Sequence, residues 1–96
     1  MTEVRKTATF QKWLDGLKDD RAYARIETRL FRLTLGLPGD AKPVGKGVSE
    51  LRIDYGPGYR VYFCKKGKAL IILLAGGDKS TQDRDIRTAQ KLASSL

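Results

Sequence analysis

Arg52 and Arg60 stand on either side of a Gly56-Pro57-Gly58 turn, in two stretches that alternate apolar and polar residues. Guanidinium groups grip phosphate oxygens in pairs, so two of them on one hairpin point to an anionic ligand. A second run, Gly76-Gly77-Asp78-Lys79, follows an apolar stretch and precedes a helical one, the setting of a phosphate cradle at a helix N-terminus. It lacks the Walker spacing and is too short to hold a nucleoside triphosphate. Lys42 and Lys46, the latter between Gly45 and Gly47, add a basic loop. Each feature has a plainer alternative: Arg52 and Arg60 can pair with Glu50 and Asp54 across strands, and the lysines can belong to a solvated connection.

Composition narrows the chemistry. The 96 residues hold 19 Lys and Arg against 11 Asp and Glu, a net charge of +8 that favours anionic partners, RNA foremost. There is no histidine, and Cys64 is the single cysteine. The usual zinc sites, a Ser-His-Asp or Cys-His triad and an internal disulfide are thereby excluded, and no cofactor is implied. One cysteine without a partner fits a reducing cytoplasm. Met1 to Ala8 has no apolar core of the kind a signal peptide carries. The longest apolar run, Ala69 to Ala75, is far short of the ~20 residues that a membrane helix needs. Residues 1–96 read as one α+β domain.

These residues need elements to position them. Val4, Lys6 and Ala8 suggest a short first strand. Phe10, Trp13, Leu14 and Leu17 then recur at helical spacing, with Thr9 as N-cap. Asp19 or Asp20 opens a second helix with Tyr23, Ile26, Leu30 and Leu33 on its apolar face, ended by Gly36 and Pro38. The short link between the helices predicts an antiparallel pair. Residues 36–47 show neither helical nor strand periodicity and read as a connection. Three antiparallel strands follow, Val48 to Tyr55, Tyr59 to Lys65 and Ala69 to Ala75, which with the first strand make a four-stranded sheet. A last helix starts near Ser80, its apolar positions being Ile86, Ala89 and Ala93.

Placing Tyr55 opposite Tyr59 pairs Asp54 with Arg60 and Arg52 with Tyr62. One sheet face then collects Leu51, Ile53, Val61 and Phe63 with Leu70, Ile72 and Leu74. The other presents Glu50, Arg52, Asp54, Arg60 and Tyr62 openly, with Cys64 as a small filler near its far end. On the second helix, Arg21, Arg25, Arg29 and Arg32 fall within about 80° of arc at ~100° per residue. That stripe is either a solvated face or a set of contacts to a nucleic-acid backbone.

The element order resembles the RelE/ParE toxin superfamily, and more narrowly its HigB-like addiction module killer group. The likeness is carried by Phe10 with Trp13-Leu14, by Lys42-Pro43-Val44, and by Gly47 to Arg52. Its strongest parts are Gly56 to Phe63 and Gly76-Gly77-Asp78-Lys79 with Gln82, Asp85 and Ile86. It implies a RelE-like fold and a toxin of a type II toxin–antitoxin pair, silenced by a small antitoxin protein with a helix-turn-helix. In the RNA-cutting branch, the ribosome and mRNA are partners and the arginine of the third strand is a catalytic phosphate ligand, which falls on Arg60. Arg52 and Lys46 match further basic residues. The alternatives are a ParE-like gyrase poison without nuclease activity and a non-catalytic binding module. The chain lacks the C-terminal tyrosine and the histidines that some relatives use, which leaves the general acid open.

RNA can be cut without metal when its own 2′-hydroxyl attacks the adjacent phosphate. Arg60 and Arg52 supply charge, and since arginine stays protonated the proton carrier must be another group. Lys46, Lys79, Asp78, Glu50, Tyr59 and Tyr62 are the candidates. Lys79, beside the start of the last helix, leads.

Overall fold

The computed structural model describes residues 2–96. The chain runs β1 (Glu3–Lys6), α1 (Ala8–Asp15), α2 (Asp20–Thr34), β2 (Ala41–Gly45), β3 (Val48–Ile53), β4 (Tyr59–Lys66) and β5 (Leu70–Asp78). A single 3-10 turn at Lys79–Thr81 leads into α3 (Gln82–Ser94). The strands form one five-stranded sheet in the order β1-β5-β4-β3-β2. β1 runs parallel to β5 and every other pair is antiparallel, so the sheet is mixed. No helix among the described residues is long and apolar enough to cross a membrane.

The fifth strand is a correction to the four-stranded expectation. Residues 41–45 read as a connection because Pro43 and Gly45 break any strand pattern, yet Pro43 sits opposite Ser49 in an antiparallel ladder. β2 is an edge strand, where proline's missing N–H costs no ladder bond.

Local signals set the helix starts. Thr7, rather than Thr9, caps α1: its Oγ1 accepts from the Phe10 amide at 3.0 Å and donates to the Leu74 carbonyl at 2.7 Å. Asp19 caps α2, accepting from the amides of Arg21 and Ala22 at 2.9 and 3.2 Å. Ala22 takes the buried position assigned to Tyr23, which is exposed. α3 starts at Gln82 rather than Ser80, because Asp78 engages the Ser80 amide and hydroxyl and holds the preceding turn.

The β3–β4 hairpin is shifted by two residues from the register read off the sequence: Ile53, not Tyr55, faces Tyr59. The turn needs the extra length because Gly56 and Gly58 both take left-handed backbone, at φ 56° and 79°. A two-residue shift leaves every side chain on its expected face. It brings Arg52 opposite Arg60 and Glu50 opposite Tyr62, and Asp54 drops out of the ladder.

Two cores lie on the two sheet faces. Phe10 and Leu14 of α1 and Ile26, Leu30 and Leu33 of α2 pack against Leu51, Ile53, Val61 and Phe63, as expected. From β5, however, Ile71 and Leu73 join them, not Leu70, Ile72 and Leu74. A strand apolar on both faces carries no parity signal. The opposite face, expected to be open, is covered by α3: Val48, Tyr62, Cys64, Ile72, Leu74 and Ala75 pack with Ala89 into a second core. An irregularity in the β4–β5 ladder between Tyr62 and Phe63 brings Leu74 and Ala75 onto this same side.

Candidate anion-binding site

Arg52 and Arg60 are direct cross-strand partners, so their side chains leave the same face of the sheet. They do so where α3 begins, and the two are held differently. Arg52 Nε and Nη2 donate to a single oxygen, Oδ1 of Asp40, at 3.2 and 2.9 Å. That pair is open to solvent, with the Arg52 side chain 37% exposed, and a phosphate oxygen can compete for it. Arg60 is only 12% exposed. Its Nη1 donates to the carbonyls of Gly58 and Tyr59 at 3.0 and 3.2 Å, and its Nε faces Oε1 of Glu50 at 3.8 Å. The expectation of two freely presented arginines is therefore corrected: one is exposed and paired, the other largely enclosed.

Glu50 is wholly buried. Its Oε2 accepts from Gln82 Nε2 at 2.7 Å and from the Tyr62 hydroxyl at 3.2 Å. Burial, then the Glu50 carboxylate, pushes the Tyr62 phenol well above its ordinary range. Burial likewise raises Tyr59, helped by Asp19 and Asp78. Glu50 and Tyr62 are thus removed from the list of proton carriers, since neither reaches solvent.

The lysines separate. Lys79 is exposed and close: its Cβ and Nη1 of Arg60 each lie 3.4 Å from where a Cβ on Gly58 would sit. It also lines an open cleft of about 390 Å³ with Gln82, Arg84 and Arg87. Lys42, exposed on β2, is the ladder partner of Glu50 and leaves the same face as Arg52. Lys46 does not join them. It tips the β2–β3 turn at φ 56°, beyond the far end of β3 from Arg52, on the order of 13 Å away at ~3.3 Å per residue.

Gly76 and Gly77 are not a phosphate cradle. They lie within β5, opposite Val61 and Arg60, and each clears space for a side chain packed on the strand. A Cβ on Gly76 would meet the Trp13 ring at 2.1 Å, and one on Gly77 would meet Oδ2 of Asp85 at 1.9 Å. Asp85 is itself buried and accepts from Thr81 Oγ1. Asp78 is held by Ser80, whose hydrogen bonds, with a smaller contribution from Arg60, keep its carboxyl below the usual range.

On α2 the stripe divides. Arg29 is structural: Nη1 donates to the Arg52 carbonyl at 2.6 Å and Nη2 to those of Pro38 and Asp40 at 3.0 and 3.3 Å. Burial lowers its pKa, partly offset by Asp40. Arg21, Arg25 and Arg32 are exposed, and Arg25 lies over the Tyr55 ring at 4.6 Å. Arg25 and Arg32 line an open cleft of about 420 Å³ with Ile53 and Asp54.

The sequence reading assigned no role to Asp40, Gln82 or Asp85. Asp40 lies in the stretch read as a connection, and a charged residue there looks like any solvated one. Gln82 and Asp85 stand on one helical face three residues apart, a spacing that faces the sheet only once α3 is known to cover it.

Comparison with known proteins adds two findings. The family model described as phage derived protein Gp49-like (DUF891) matches residues 12–94, a span that includes every candidate residue above. A Haemophilus influenzae protein, named only as an uncharacterized protein, is 52% identical over 94 residues, covering 98% of this chain and 95% of that one.

Proposed function

Since the chain belongs to the Gp49-like phage-derived family, we propose that it is the toxin of a type II toxin–antitoxin pair and a ribosome-dependent mRNA endonuclease. One observation carries the reading: Arg52 and Arg60 are paired on one face, with Lys79 beside them. The likeness of Gly56 to Phe63 and of Gly76 to Lys79 to the HigB-like killer group supports it. On this reading the partners are mRNA on the ribosome and a small antitoxin protein, in the cytoplasm.

The chemistry follows from the groups at hand. The RNA 2′-oxygen attacks the neighbouring phosphorus, the bond from phosphorus to the 5′-oxygen breaks, and a cyclic phosphate and a free 5′-hydroxyl result. One group must take the 2′-proton and another must give a proton to the 5′-oxygen. Arg60 and Arg52 stabilise the charge that builds on the phosphate oxygens, Arg52 after exchanging Asp40 for phosphate. Lys79, exposed beside Arg60, is the residue placed to carry a proton. Arg25 and Arg32 bind the backbone of the RNA strand away from the cut.

A second reading rests on the enclosure of Arg60 and the burial of Glu50 and Tyr62. A site so poor in accessible proton carriers also suits a toxin that binds its target, DNA gyrase for instance, and cuts nothing. Induction in cells with a translation reporter and a DNA-damage reporter separates the two. Early loss of translation is expected for the nuclease; an early rise of the damage signal with translation intact overturns it.

A further inference from the structure

Among the described residues, Glu50 is a wholly buried carboxylate whose placement has no account so far. A carboxylate without solvent contact is costly unless paired and hydrogen-bonded. Here the two oxygens are treated unequally. Oε2 receives both Gln82 Nε2 and the Tyr62 hydroxyl, whereas Oε1 is buried and receives no hydrogen bond. The group facing Oε1 is Nε of Arg60 at 3.8 Å, also buried and also donating to nothing. Two enclosed, opposite charges thus confront each other without closing into a hydrogen-bonded pair, an arrangement that asks for an explanation.

The rest of the guanidinium supplies one. Nη1 is tied to the carbonyls of Gly58 and Tyr59, and among the described residues Nη2 donates no hydrogen bond. Glu50 therefore neutralises Arg60 from the sheet interior along its Nε side, the carbonyls fix its plane, and one donor group is left for an outside acceptor. The carboxylate cannot swing away, because Tyr62 on the neighbouring strand and Gln82 on α3 hold its other oxygen.

We propose that Glu50 is a positioning residue: its buried carboxylate, braced by Tyr62 and Gln82, holds the Arg60 guanidinium in the orientation that meets an RNA phosphate oxygen. It touches no substrate and acts only through Arg60. The proposal rests on the phosphate-binding role given to Arg60 above.

The test uses the full chain and the Arg60 Nε–H signal in nitrogen-correlated NMR spectra, assigned by its disappearance in Arg60→Lys. In Glu50→Gln the backbone spectrum should stay that of the folded chain while the Arg60 Nε proton exchanges with water about tenfold faster or more. The same variant should cut mRNA on the ribosome about tenfold or more slowly through kcat, since a slightly misplaced donor costs rate before binding. Affinity for ribosomes carrying a short, uncleavable 2′-O-methylated message should stay within about threefold, in line with the loss falling on rate. Gln82→Ala, which keeps the charge but leaves Oε2 only the Tyr62 hydroxyl, should show the same changes to a smaller degree, and it serves if Glu50→Gln does not fold. An Arg60 Nε signal unmoved in either folded variant overturns the proposal, as does full cleavage by Glu50→Gln where Arg60→Ala is inactive. If Arg60→Ala itself remains toxic, the nuclease reading fails, while the exchange measurement still decides whether Glu50 orients Arg60.

Discussion

Gly77 and Asp85 approach so closely that a Cβ on the glycine would lie 1.9 Å from Oδ2 of the carboxylate. Gly76 stands in the same relation to Trp13 on the other sheet face, at 2.1 Å. The paired glycines let α1 and α3 press onto β5 at adjacent residues. Gly76→Ala and Gly77→Ala should each destabilise the fold by about 1–3 kcal/mol or more, the cost of overpacking a filled core. Chemical denaturation measures this. Unchanged midpoints for both variants would mean that the glycines serve some other purpose, such as ligand approach.

Arg25 and Arg29 sit one helical turn apart and should behave oppositely. Arg29→Ala removes donors to the carbonyls of Pro38, Asp40 and Arg52, so stability should fall by about 2 kcal/mol, as for lost hydrogen bonds from a charged group. Arg25→Glu with Arg32→Glu should change stability little, Arg25 losing only its contact with Tyr55, worth about 0.5–1 kcal/mol. That double variant should instead weaken ribosome binding and flatten its dependence on salt. A salt slope equal to that of the wild type would return the stripe to a solvated helix face.

Tyr62 sets a pH dependence with a definite sign. Its ordinary pKa of 10.0 is raised in the folded chain by burial and by Glu50, with Asp85 adding and Arg60 opposing. The folded state therefore holds this proton more tightly than the unfolded state. The resulting stability is complete below pH 10 and drains away as pH climbs towards the folded value. Tyr62→Phe lacks the ionisation, so the stability gap between wild type and variant should narrow above about pH 10. Parallel pH curves from unfolding at pH 8 to 11 would contradict the assignment.

The parts of this fold legible in the sequence are those written in a single periodicity. The α1 and α2 faces through Phe10, Leu14, Ile26, Leu30 and Leu33, and the inward parity of Leu51, Ile53, Val61 and Phe63, follow from helical and strand spacing alone. What escaped depends on partners distant in the chain. Ala41–Gly45 becomes a strand only because Val48–Leu51 lies alongside to pair with it. Ile72 and Leu74 change faces because the β4–β5 register, not their own pattern, decides parity. At the site, arginine and glutamate on one strand face read as a solvated set. Only the covering of that face by α3 shows that Glu50 and Arg60 are enclosed while Arg52 is not.

The central claim is that Arg60 meets the scissile phosphate, and growth inhibition with mRNA cleavage by Arg60→Ala, at protein levels matched to the wild type, tests it most directly. The account predicts a folded protein whose cleavage falls by about 100-fold or more, with toxicity lost, as when a preorganised charge donor is removed from a transition state. A folded Arg60→Ala protein that still arrests growth and still cuts message would contradict it.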